Sequence, residues 1–157
     1  MTISKRRILT LFIQCLTITA LSQESGARDS SLIQGVLTGK FIIIHSKEKI
    51  DQKFLAFLRK NRGINLRLVN PGQPFNDTDL IMNDLPKHEL VFATKNPEGI
   101  NFIVYGNGNG AAQNICLIYS KIGRSKFITS TIRVDDSVNS LERLKAAIDN
   151  DSYDVLH

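Results

Sequence analysis

A chain of 157 residues, 42% of them hydrophobic, has one domain's worth of material and enough apolar side chains for a core. Its formal net charge is +5, but Lys5, Arg6 and Arg7 hold three of the positive charges, and beyond Ser22 17 basic residues face 15 acidic ones, a net +2. There is no Trp and little aromatic interleaving around the basic clusters at 59–62 and 121–126, which argues against a nucleic-acid stripe, and Cys116 is the one cysteine beyond Ser22, which excludes an intramolecular disulfide framework.

The first 22 residues read as a cleaved secretory signal. Lys5-Arg6-Arg7 precedes an apolar run over 8–21, and Ala20-Leu21-Ser22 presents small residues where a signal peptidase cuts. The apolar run is shorter than the roughly 20 residues a membrane span needs. Export to the periplasm or the exterior is therefore expected, with residues 23–34 as a polar, flexible leader, 35–150 as a single globular domain and 151–157 as a frayed tail.

Within the domain, Phe41-Ile42-Ile43-Ile44 is the densest apolar run and predicts a central strand over 36–45, buried on both faces. Ser46 is a candidate cap, with Glu48 and Asp51 in the first turn of a helix whose apolar stripe is Ile50, Phe54, Phe57 and Leu58. Gly63 stands where a left-handed residue closes a helix, and 64–69 alternates as a second strand, ended by Asn70-Pro71-Gly72. This strand–helix–strand unit is expected to cross over right-handedly with its strands parallel.

Residues 73–87 are ambiguous. Asn76-Asp77-Thr78 matches a glycosylation sequon, and Leu80-Ile81-Met82 with Leu85 suits a short helix. Strand patterns follow at 88–94 and 100–105, joined by the turn sequence Lys95-Asn96-Pro97-Glu98-Gly99, and again at 114–120 and 126–134 around Gly123. A last helix carries Val138, Leu141, Leu144 and Ile148 as its buried stripe, with Asn139 and Glu142 spaced as a capping box. The fold class expected is α/β or α+β: a mixed sheet of about six strands with a βαβ unit, hairpins and a C-terminal helix, the helices packed on the sheet.

No cofactor motif and no metal-ligand spacing stands out. Gly106, Gly108 and Ala111 fit G-x-G-x-x-A after a strand, yet the β-branched run that follows is poor helix material and two Asn-Gly pairs signal a turn. Cys116, inside Ile115-Cys116-Leu117-Ile118, reads as a buried, inert hydrophobe. Of the three histidines, His157 lies in the tail. His45, at the end of the first strand, and His88, opening a later one, are the weak catalytic candidates, with Arg124 or Lys126 to steady a phosphate.

The element order resembles a thioredoxin-like domain. Residues 41–46, the following helix and 64–69 correspond to its strand–helix–strand half, while 115–121, the Gly123 turn, 127–134 and the last helix correspond to its closing hairpin and helix. The resemblance implies a site after the first strand, but Lys47-Glu48-Lys49-Ile50 stands where C-x-x-C would be, so disulfide exchange is not available. The function expected is a non-enzymatic, exported binding module for a protein or small ligand. The alternative is a small secreted hydrolase or nuclease using His45 and His88.

Overall fold

The computed structural model describes residues 29–78, 85–96, 99–108, 113–124 and 126–156, so the expected signal segment lies outside the described residues. The chain forms two units, Met1–Ser31 and Leu32–His157, and of the first only the start of a helix is described. Among the described residues no helix is long and apolar enough to cross a membrane.

That helix, α1, covers residues 29–38 and replaces both the end of the expected leader and the start of the expected first strand. Leu32, Ile33 and Val36 are buried, an i, i+1, i+4 stripe of one helical face flanked by polar residues that mask it in the sequence. Gly35 lies between them, and a Cβ there would collide with the tip of Ile100.

The strand that follows, β1 (Ile42–Ile44), is an edge strand and not a central one. It pairs only with β3 (His88–Lys95), and Ile42 is 64% exposed. The apolar run arises because Ile43 belongs to one hydrophobic cluster and Ile44 to the other. Such a run reports cover above and below, and nothing about lateral neighbours.

After a 3-10 turn at Lys47–Lys49, Asp51 caps α2 (Gln52–Phe57), its carboxylate accepting from the Lys53 N–H at 2.9 Å. Ser46, the cap expected from sequence, bonds Glu48 instead. The helix widens into a π turn, Leu58–Arg62, and ends at Gly63, whose φ of 65° is the left-handed conformation expected there. The expected strand at 64–69 shrinks to β2 (Leu68–Val69).

β2 runs parallel to β3 whereas β1 runs antiparallel to it, so β1 and β2 have opposite senses and share one edge of β3 end to end. The expected parallel βαβ unit is therefore absent. The short α2 and its π turn carry the chain along the same sheet edge without displacing it by a strand.

The remaining strands follow the sequence pattern closely. β3, β4 (Ile100–Asn107), β5 (Gln113–Lys121) and β6 (Phe127–Asp135) form an antiparallel meander. β5 begins at Gln113 as the antiparallel neighbour of β4, so a strand stands where the helix of a dinucleotide fingerprint would run. The last helix, α3 (Leu141–Asp149), is capped by Ser140 and not by the expected Asn139 box. Val138, Leu144 and Ile148 are buried as expected. The tail is not frayed: Asp154–Leu156 forms β7 against β6. Among the described residues seven strands result, mostly antiparallel, in the order β1-β3-β4-β5-β6-β7 with β2 beside β3.

Two clusters of buried side chains alternate along these strands, as the two-residue period of a strand requires. Phe102, Val104, Cys116 and Ile118 join Leu32, Val36, Leu144 and Ile148 in one. Ile103, Leu117 and Tyr119 join Ile50, Phe54 and Leu58 in the other.

A lysine-lined cleft at the end of the meander

At the end of the sheet where the β3–β4 and β5–β6 connections lie, the second cluster opens into a cleft of about 370 Å³. Strand register makes it. Asn101 sits opposite Tyr119, and Lys121 opposite Phe127, so side chains from β4, β5 and β6 come to one place. Tyr119 and Phe127 give it an aromatic floor, Lys49 and Asp51 border it from the approach to α2, and Lys95 and Asn96 border it from the end of β3.

The walls are fixed by side chains that replace main-chain ladder bonds. Asn101 accepts from the Asn96 N–H at 2.6 Å and donates to the Asn96 carbonyl at 2.9 Å, clamping the 96–101 turn. The Thr94 hydroxyl accepts from the Phe102 N–H at 2.9 Å. Beneath them Phe54 stacks on Tyr119 with ring centroids 3.6 Å apart.

The lysine and tyrosine donors that face the cleft have no protein partner. Among the described residues, Lys49, Lys95 and Lys121 make no ion pair or side-chain hydrogen bond, and the Tyr119 hydroxyl, at the accessible edge of an otherwise buried ring, has no protein partner. Burial, and then the Asp51 carboxylate, push the Tyr119 phenol well above its ordinary range, so it is a neutral O–H donor at any physiological pH. Among the described residues that line the cleft, three ammonium groups face one carboxylate, an excess of two positive charges.

A second cleft, of about 400 Å³, lies between Lys47, Leu55 and Leu66, beside the position where the resemblance places a site. Of its polar side chains among the described residues, Lys47, Glu48 and Gln52 are engaged, and the Arg67 guanidinium is not. Glu48 accepts from the Ser46 hydroxyl at 2.6 Å and from the Asn70 amide at 3.2 Å, which hold its carboxyl below the usual range. Asn70 accepts in turn from the Lys47 N–H at 2.7 Å, and the Lys47 ammonium donates to the Leu68 carbonyl at 3.3 Å. This network ties the two short edge strands together and covers an exposed carbonyl of the sheet edge. A third cleft, of about 390 Å³, is acidic, with Asp77, Glu89 and Asp136, and Glu89 is bound to the Gly72 N–H.

The residues singled out in the sequence fall elsewhere. His45 is exposed and its Nδ1 lies 3.2 Å from the Val91 carbonyl, opposite the stretch of β3 that neither β1 nor β2 covers. A carbonyl can only accept, so Nδ1 carries the proton. His88 is half-buried, rests edge-on against Tyr105 at 5.1 Å and bonds Asn107, and its Nδ1 is buried without a partner. The two imidazoles hold different partners, and neither they nor Arg124 nor Lys126 lines any of the three clefts. His157 lies outside the described residues.

Cys116 is fully buried and its thiol is pushed far up by desolvation, as the sequence context implies. Asn76 of the sequon is also buried, its Oδ1 accepting from the Thr78 N–H and hydroxyl. Among the described residues no group of three or more His, Cys, Asp or Glu side chains could hold a metal ion. Comparison of the chain with protein-family models, with curated proteins and with solved structures finds no match.

The lysine cleft escaped the sequence reading because its members lie in five separate segments. One signal was available: Tyr119 and Lys121, two apart in a strand, share a face, which puts a cation next to a buried ring.

Proposed function

We propose that the protein is an exported, non-enzymatic binding module that recognises its ligand in the lysine-lined cleft. One observation carries the reading. The cleft walls are locked by Thr94, Asn96 and Asn101, while Lys95 and donors from two further segments, Lys49 and Tyr119 with Lys121, converge in it without protein partners. A prearranged set of unpaired donors in a concavity is what binding at low entropic cost requires.

We further infer a helix–sheet–helix layering that keeps the floor rigid, with α1 and α3 supplying one buried cluster and α2 the other. The resemblance to thioredoxin-like domains enters only for β5, β6 and α3, and no disulfide chemistry is proposed. A hydrolase built on His45 and His88 would need both imidazoles on one substrate, and each already serves a different partner.

The test is a thermal-shift screen of a chemically mixed small-molecule panel, repeated on a Lys95→Gln/Tyr119→Phe variant. Compounds that stabilise the wild type and not the variant, and are recovered unaltered, support the reading. Stabilisation insensitive to the variant, or chemical turnover of a bound compound, overturns it. For export, the secreted product is expected to begin at Gln23 by intact mass, and a product retaining residues 1–22 contradicts cleavage.

A further inference from the structure

We propose that the ligand of this cleft is a compact oxyanion, a phosphate or carboxylate group of a small molecule, gripped by Lys49, Lys95, Lys121 and the Tyr119 hydroxyl. The inference rests on the binding-module reading and adds the class of ligand.

Its warrant is the balance of donors and acceptors. Lysine ammonium groups and a phenol kept protonated by burial only need acceptors, and an oxyanion supplies several around one centre. The Asn101 amide nitrogen is spent on the Asn96 and Gly99 carbonyls, and one Asp51 carboxylate oxygen is held by the Lys53 N–H of the α2 cap. Asp51 opposes an anion and sets the limit on affinity. The aromatic floor of Tyr119 and Phe127 excludes water below the anion and suits an apolar or sugar-like remainder.

The Tyr119 hydroxyl is the observation least open to a merely structural account. The hydroxyl contributes nothing to the stacking, because the ring would lie on Phe54 equally well as phenylalanine, and it reaches the cleft without a protein partner. Its presence is explained if a ligand oxygen completes it.

The experiment is an amide-resolved NMR titration of the full chain with three probes: inorganic phosphate, succinate and neutral glucose. Phosphate, succinate or both should give saturating shifts centred on 94–96, 99–101 and 119–121, and glucose none. Phosphate alone would assign a phosphate ester, and succinate alone a carboxylate. Lys95→Gln and Tyr119→Phe should each weaken binding about tenfold, Asp51→Asn should strengthen it, and Lys60→Gln should leave it unchanged. Glucose binding in the cleft without either anion would overturn the oxyanion and leave the binding module standing. Silence of the cleft to all three probes would overturn both. Unsaturable shifts spread over every lysine would mean non-specific ion association and overturn the proposal.

Discussion

Phe54 of α2 and Tyr119 of β5 lie face to face, their rings 3.6 Å apart and 9° from parallel, and this contact joins the core to the floor of the lysine cleft. Phe127 meets both rings edge-on, at 5.3 Å and 6.1 Å. Removing Phe54 deletes a fully buried ring and undercuts Tyr119. Phe54→Ala is expected to cost about 3–5 kcal/mol in denaturant unfolding. A cost under about 1 kcal/mol would mean that α2 does not hold the cleft floor.

Gly35 is required by close approach and not by backbone conformation. Gly35→Ala gains helix propensity of up to about 1 kcal/mol, but its methyl meets the tip of Ile100. Overpacking of that kind costs about 1–3 kcal/mol, so the single variant is expected to be destabilised. Ile100→Val removes the colliding atom, and the double variant should be more stable than the two single effects sum to. Strict additivity would show that the helix moves aside freely.

His88 should make the fold acid-sensitive. Burial, and then the Lys87 charge, lower its pKa below the ordinary 6.5. Between the two values the unfolded chain binds a proton that the folded chain refuses. Stability from neutral His88 is therefore fully present above pH 6.5 and is lost as pH falls toward the folded value. The protonated ring would also need an acceptor for the buried Nδ1, which has none. Denaturation midpoints at pH 7.5 and 5.0 should fall further for wild type than for His88→Gln. Glu48, Asp135 and Glu142 are all shifted below the ordinary carboxylate range and titrate below this window. Equal falls would show that His88 protonates without hindrance.

The long strands were legible in the sequence because each keeps an alternating pattern between strong turn residues, and β3 to β6 lie within a few residues of where the pattern puts them. The Gly63 cap, the buried Cys116 and the stripe on α3 were legible for the same local reason. Lateral order was not. Phe41 to Ile44 carries the apolar density of a central strand, yet pairing depends on partners distant in sequence, and only β3 takes it up. α1 was hidden because Asp29, Ser30 and Ser31 dilute its stripe, and β7 because three residues are too few to show a period. The cleft was hidden because Lys49, Lys95 and Lys121 look solvated one at a time, and register alone brings them together.

The most direct test of the cleft as an anion site is the melting temperature of wild type and Tyr119→Phe, each without phosphate and with a concentration series of it. Both proteins should melt alike without phosphate, because the hydroxyl has no partner, and the phosphate-dependent rise should be large in wild type and much reduced in Tyr119→Phe. An equal rise in the two proteins, or a variant already less stable without phosphate, would contradict the assignment of the Tyr119 hydroxyl to a bound oxyanion.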